Sequence, residues 1–493
     1  MKKEKNKTPK EKRPKPPKPQ YNMAQTTVYM ITLAWKIRKS VLVYCLLLVC
    51  CAVGLDLVNL FTVPTILSRV ENAVPFGDLL FTILFFTCSL ILLRGLDSYI
   101  QTNTMYGRVE VRVGIDREIK RKLMVTSYPN TEDESAGKKL ATAQGATSSN
   151  DRAVEAIWET FTELLQRLIG FAIYLALLSA LDPVLILLTV ILAAVSFFLN
   201  RKAGEWDHKH RDEQSKYDRE FEYVKNRARD VNLAKDIRIF GMRGWLEDMY
   251  QSAIHLAYDF ARRRENFFVW VHIANLLINF LRNGLIYFYL IRLTLSDGLP
   301  ASTFLLYFTA AGTFTGWISG ILSGFNRLHE QSLEISTILE YLNYPEVFRF
   351  EDGRELEPIP DCAYEIKLEN LSYRYPGSTD FTIKDLNLTI RPGEKLAIVG
   401  LNGAGKTTLI KLLCGFYDPT EGRVLLNGQD IRQYNRRDYY RHFTAVFQQF
   451  SLLDVTLAEN VAQDNEHIDE EKAWNCLEMA GLSQKVRSLP QGL

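Results

Sequence analysis

The sequence predicts an α-helical six-span membrane domain with long cytoplasmic helical extensions, followed by a partial α/β P-loop domain. Three observations carry that prediction. Long apolar runs are confined to the chain before Phe325, and ordinary soluble sequence follows from about Pro345, which marks a membrane part joined to a soluble part. Charged stretches between the runs keep the apolar spacing of helices. "VGLNGAGKTTL", Val399 to Leu409, has the glycine and Lys-Thr spacing of a phosphate-binding loop. A chain of 493 residues has room for about three domains. Composition divides it into a disordered basic tail (1–20), a transmembrane domain (21–345), a linker (346–361) and the partial P-loop domain (362–493).

The tail holds nine Lys or Arg against two Glu, hence +7 of a formal net +2, so the remainder carries −5. With several prolines and no apolar residue beyond Met1 it has no core to bury and reads as extended and disordered. Two roles stay open for it: attraction to the anionic inner face of a membrane, or a solvated tail that sets topology. It has neither the apolar region of a secretory signal nor the pattern of a transit peptide.

The six apolar stretches are 40–61, 79–99, 161–181, 183–199, 267–291 and 303–325, each about the length a helix needs to cross a hydrocarbon core. Around "ALDPVL" the third and fourth lie so close that Leu181, Asp182 and Pro183 read as a tight hairpin. The loops at 66–78 and 292–302 carry one basic residue each, whereas 100–158 carries nine and 200–266 fifteen, so the long loops and both termini are expected in the cytoplasm. Those long loops read as continuations of the membrane helices, with tips near "SYPNTED" and "NLAKDIRIF". Ahead of the first span, "VYMITLAWKIRKS" is expected to place Met30, Ile31, Ala34 and Trp35 on one side of an interfacial helix.

In the sixth stretch glycine recurs every fourth residue, at Gly312, Gly316, Gly320 and Gly324, forming one ridge. Such a ridge suits close helix packing or a contact that slides during function. Asp56 and Arg282 lie deep in their spans and either pair or line a polar path, while Arg94 and Arg167 lie near cytoplasmic ends, where snorkelling suffices. The seven cysteines are scattered without pair or metal spacing, which fits a reducing compartment. His208 and His210 are two apart and share no helix face, so they make a poor metal pair.

From about Cys362 the pattern turns to strands: "YEIKLENLSYRY", "LNLTI", a "RPGE" turn, then "KLAIVG" as a short buried strand leading into the loop. In that loop Gly400, Leu401, Asn402, Gly403, Ala404 and Gly405 let backbone N–H groups converge on phosphate oxygens. Lys406 reaches the β and γ phosphates, Thr407 ligates Mg2+, and Thr408 continues the helix whose positive end faces the phosphates. The soluble part is thus expected to be a partial α/β P-loop nucleotide-binding domain for ATP and Mg2+.

Together, the spans, long loops and P-loop resemble a half-transporter of the ABC exporter family over nearly all of 21–493. "YRYPGS" is similar to the family's adenine-stacking loop, which implies Tyr375 as the stacking ring, with Tyr373 as the alternative register. "AVFQQF" is similar to the glutamine loop and implies Gln448, or Gln449, as the residue at Mg2+ and the γ-phosphate. The tips near Pro129–Asp133 and Asp230–Ile237 resemble the coupling helices that seat on nucleotide domains. By resemblance the chain is expected in a bacterial cell membrane, multi-pass, with a second half-transporter as homo- or heterodimer partner. The cargo is a peptide, lipid or amphiphilic drug, and nucleic acid is not a partner.

The pattern departs from the family at its end. No run of four apolar residues closes in Asp-Glu, no Leu-Ser-Gly-Gly-Gln-like segment occurs in the soluble part, and no switch histidine follows. The chain therefore reads as C-terminally truncated, with its catalytic glutamate absent and no turnover expected of it alone. Two readings follow: an ATP-driven exporter subunit, or a regulatory subunit that binds ATP without hydrolysing it.

Overall fold

A computed structural model describes residues 19–179, 183–357, 364–447, 452–490 and 492–493. The chain forms two compact units, one of residues 1–126 and 130–345, the other of 127–129 and 346–493.

The first unit is helical: α1 (Met23–Ile37), α2 (Ser40–Glu71), α3 (Phe76–Val125), the short α4 (Tyr128–Glu132), which starts in the other unit, α5 (Glu134–Thr147), α6 (Ala153–Ser179), α7 (Pro183–Arg229), α8 (Ala234–Ile239), α9 (Arg243–Asp297) and α10 (Ala301–Leu342). Five of them, α2, α3, α6, α9 and α10, are long and apolar enough to cross a membrane among the described residues. In none is more than 29% of the apolar window buried inside the protein, so most of that surface faces outward, as lipid rather than water requires. The predicted stretch 183–199 opens α7, while Leu181 and Asp182 of the expected hairpin lie outside the described residues.

At 50 residues α3 is about 75 Å long, far more than a bilayer core needs, so the helical extensions are real. One core of this unit buries Ile115 and Ile119 of α3, Trp158 of α6 and Ile335 of α10 together with Met30 and Ala34 of α1. The latter two correct the expected face of α1. Ile31 and Trp35, one residue further on and about 100° round the helix, are 41% and 56% exposed, and Lys39 lies over the Trp35 ring. Likewise α2 continues past Phe61 and through Pro64 to Glu71, ten residues beyond the apolar stretch, because a membrane helix tolerates an internal proline when its neighbours cover the freed carbonyl.

In the second unit β1 (Ile366–Tyr373) pairs antiparallel with β2 (Ile383–Ile390) on one edge and β3 (Glu421–Leu426) on the other, and β4 (Gln429–Asp430) completes the order β2-β1-β3-β4. Helix α11 (Lys406–Leu413) lays Leu409, Leu412 and Leu413 into one core with Leu368, Leu371, Val424 and Leu426. Short helices α12 (Arg436–Tyr440), α13 (Leu457–Ala462), α14 (Glu470–Met479) and α15 (Ser483–Arg487) follow.

One expected element is overturned. Residues 395–400, predicted as a buried strand, form no ladder and are exposed, with Val399 at 90%. An unbroken apolar run is a strand meant to be covered on both faces and paired on both edges, and the described residues supply no neighbouring strand. Val446, at 95% exposure in "AVFQQF", is left uncovered for the same reason.

Candidate nucleotide site

Helix α11 begins where the glycines end. Gly405 is its N-cap at φ 87° and ψ 7°, a left-handed conformation that suits glycine, and its carbonyl accepts the first helical bond from Leu409 N at 2.8 Å. A Cβ there would stand 3.2 Å from the Thr382 carbonyl oxygen and 3.3 Å from Ile383 Cγ1, so β2 also restricts the position to glycine. The far end of the helix closes with Gly415 at φ 75°, Gly415 N donating to Leu412 O and Phe416 N to Lys411 O.

Gly400, Leu401, Asn402, Gly403 and Ala404 are all exposed, and Lys406 turns its Nζ back over them to donate to the carbonyls of Gly400 and Leu401, 2.8 Å each. The ammonium thus already sits at the mouth of the loop. The hydroxyl of Thr407, also exposed, makes no hydrogen bond among the described residues, whereas the neighbouring Thr408 is buried. Tyr375 lies in the turn between β1 and β2, with its hydroxyl 2.9 Å from Thr408 Oγ1. Its ring is edge-on to Tyr373 (5.2 Å) and to Tyr417 (5.8 Å), and those two stack on each other at 5.1 Å. Tyr373 is 6% exposed and belongs to the core, whereas Tyr375 is half-buried, so of the two rings Tyr375 is the one a ligand can reach. Gln448 and Gln449 lie outside the described residues.

These parts fit a nucleotide triphosphate with its metal. An uncovered backbone loop, a helix N-terminus, a lysine at the mouth, a free threonine hydroxyl and an aromatic ring stand side by side.

Sequence reasoning did not single out the residues that hold this site from behind. Arg436, 2% exposed, donates through Nη1 to the Gly415 carbonyl (2.9 Å) and through Nη2 to Asp418 Oδ1 (2.6 Å), and lies 4.1 Å over the Phe348 ring. Tyr439 donates to the Leu413 carbonyl at 2.7 Å. Both occupy carbonyls left open at the end of α11. Burial pushes the Cys414 thiol above its ordinary range and the Tyr440 hydroxyl up to about 12. The sequence signal for the aromatic backing was "GFYDPT" directly after the helix, which supplies Tyr417.

Residues 383–492 match the family described as ABC transporter. The probable microcin-H47 secretion/processing ATP-binding protein MchF of Escherichia coli is 30% identical over 201 residues, 41% of this chain and 28% of that protein. The subtilin transport ATP-binding protein SpaT of Bacillus subtilis is 25% identical over 297 residues, 58% of this chain and 46% of that protein. The chain therefore spans less than half the length of these curated relatives. A bacterial Atm1-family ABC exporter solved with ATP bound superposes with a TM-score of 0.74 at 19% identity, over 92% of this chain and 79% of that one, which shows the fold. The match to the ABC transporter family thus falls on residues 383–492, which hold the phosphate loop, and the chain as a whole shares the fold of that solved exporter.

Proposed function

We propose that the chain is a subunit of an ABC-type exporter that couples ATP binding and hydrolysis, in the paired full-length protein, to export of a cargo across the membrane. The observation that carries this is the phosphate cradle Gly400–Thr408 at the head of α11, beside Tyr375 and joined in one chain to membrane helices. Lys406 takes the β and γ phosphates, Gly400 to Gly405 offer backbone N–H groups, Tyr375 stacks on the adenine, and Thr407 with Gln448 holds Mg2+. A Mg2+ held there would supply positive charge to offset the negative charge that develops during phosphoryl transfer. Lys406 leaves the Gly400 and Leu401 carbonyls as phosphate arrives, so binding exchanges an internal contact for a charge-assisted one.

The partner is a second half-transporter, as homodimer or heterodimer. In support, the second tip exposes Val231, Ile239 and Phe240 at 84%, 76% and 72%, an apolar group suited to a docking surface on another subunit. The cargo is a peptide, lipid or amphiphilic drug. The site is a bacterial cell membrane with both termini in the cytoplasm, supported by the basic loops and the bacterial relatives. These 493 residues contain no Asp-Glu after an apolar strand, so the chain by itself binds nucleotide and turns none over.

The test is photolabelling of membranes with azido-ATP alongside ATPase assays, with the chain unchanged and as Lys406→Ala. Labelling that Lys406→Ala removes, without turnover, is expected. Equal labelling of both proteins sinks the site, and Lys406-dependent turnover sinks the claim that the chain is inactive alone.

A further inference from the structure

Helices α7, α9 and α10 line an open pocket of about 310 Å³. Asn275, Asn279 and Arg282 line it from α9, and Gly312, Gly316 and Ser319 from α10. Ser196 of α7, itself buried, lines it as well. Both main walls follow the spacing i, i+4, i+7, which is one face of a helix, so two otherwise apolar segments turn their polar and glycine faces toward each other.

Arg282 is 8% exposed. Its Nε and Nη2 donate to Asn283 Oδ1 at 3.2 and 3.1 Å, and among the described residues no Asp or Glu pairs with it. Asp56, its one candidate counter-charge in the sequence, instead accepts from Gln166 Nε2 at 3.0 Å. A cation inside hydrocarbon without a counter-charge is costly and is retained where it faces a polar path or a ligand.

The glycine ridge divides at the same place. A Cβ on Gly324 would stand 3.1 Å from Leu164 Cδ1, and one on Gly320 would collide with the Arg167 side chain, so these two serve close helix packing. A Cβ on Gly312 or Gly316 would meet nothing within 4 Å. The upper two glycines keep a space open, and that space contains the buried cation.

We propose that this cavity binds the anionic group, carboxylate or phosphate, of an amphiphilic cargo, with Arg282 as counter-ion and Asn275, Asn279 and Ser319 as hydrogen-bond partners. The planar guanidinium offers paired donors that match either oxyanion. The apolar body of the cargo lies along the neighbouring span surfaces. A neutral cargo leaves the Arg282 charge uncompensated and a cationic one is repelled, so the cavity selects by charge. The proposal rests on the exporter reading and adds the charge of the cargo to it.

The full chain in phosphatidylcholine nanodiscs is titrated with dansyl-labelled undecanoic acid and with its methyl ester. The acid is expected to bind about tenfold tighter, the size of one charge-assisted hydrogen bond. Arg282→Gln is expected to erase that preference and Arg282→Lys to keep part of it. Competition by dodecyl phosphate against dodecanoate shows which oxyanion is favoured. Equal affinity for acid and ester, or an acid preference that survives Arg282→Gln, overturns the proposal. Should Arg282→Gln not fold, Gly316→Leu decides, because it fills the cavity and keeps the charge: lost acid preference supports the site, and unchanged preference refutes it. ATP-driven uptake of the same probes separates this from the exporter reading. Arg282-dependent binding without Lys406-dependent uptake leaves the anion site standing and removes the exporter, while uptake blind to cargo charge does the reverse.

Discussion

The hydroxyl of Tyr375 lies 2.9 Å from Thr408 Oγ1, so the ring proposed to stack on adenine is tied to the first turn of the helix proposed to receive the phosphates. The base and phosphate ends of the site are therefore set by one contact. Tyr375→Ala is expected to weaken binding of a fluorescent ATP analogue about 2- to 10-fold, the range of one aromatic contact. Tyr375→Phe keeps the ring and loses the tie, so its effect is smaller. Tyr373→Ala, in the buried core, lowers the melting temperature instead. If Tyr373→Ala impairs nucleotide affinity more than Tyr375→Ala at equal stability, the roles of the two rings are exchanged.

Gly405 combines a left-handed backbone with contact to β2. Gly405→Ala brings a Cβ to 3.2 Å from the Thr382 carbonyl and adds a left-handed alanine, a strain of about 1–2 kcal/mol. Nucleotide affinity is expected to fall about tenfold as the loop shifts, whereas Gly403→Ala, with nothing within 4 Å, bears only the backbone part of that strain. Isothermal titration of both variants with ATP checks the order, and Gly403→Ala as the weaker binder contradicts it.

What could be read in advance follows from the range of the forces involved. The membrane helices were legible because hydropathy is a local property summed over about 20 residues, and β1, β2 and α11 because their periodicity and glycines are local too. The segment 395–400 was misread because its strand character depends on neighbours that its own sequence does not specify, and Val399 is exposed for want of them. Arg436 escaped notice because "NRRDYY" looks like a solvated turn. Only the fold brings its guanidinium to the Gly415 carbonyl 21 residues away in sequence. The glycine ridge was visible, but its division between Gly316 and Gly320 was not, since it depends on which neighbour stands opposite each turn.

The Arg436–Asp418 pair holds the loop after α11, with the arginine side chain 3% and the carboxylate 26% exposed. Removing one partner of a buried pair strands the other, and the partly wetted aspartate moderates the loss to about 2–3 kcal/mol. Asp418→Asn is expected to cost less than Arg436→Leu, because the amide oxygen still accepts while the leucine abandons the Gly415 carbonyl as well. Denaturant midpoints measured on the two variants test the ranking; equal midpoints would show that the carbonyl contact contributes nothing.

Alkaline sensitivity of the second unit has a stated direction. Burial, moderated by Arg436 and reinforced by Asp418 and Cys414, raises the Tyr440 hydroxyl from 10.0 to about 12, and burial raises the Cys414 thiol as well. Both groups are held protonated by the fold, so between the unfolded and folded values the native state binds more protons than the unfolded state. Stability is then fully present below the unfolded values and falls as pH rises through the folded ones. For Tyr440 the window runs from pH 10.0 to about 12. Because the side chain is only half-buried, solvent moderates the loss to about 1–2 kcal/mol over that window. Tyr440→Phe loses a 3.3 Å hydrogen bond to the Gly415 carbonyl, which lowers stability at neutral pH. It also removes the titrating group, so its unfolding midpoint falls less steeply above pH 10 than that of the unchanged protein. Parallel pH profiles for the two would mean that Tyr440 ionises alike in the folded and unfolded chain. Alkylation gives an independent reading: exposed Cys476 reacts with iodoacetamide at pH 8.5, while Cys414, buried and held as thiol, reacts only in denaturant.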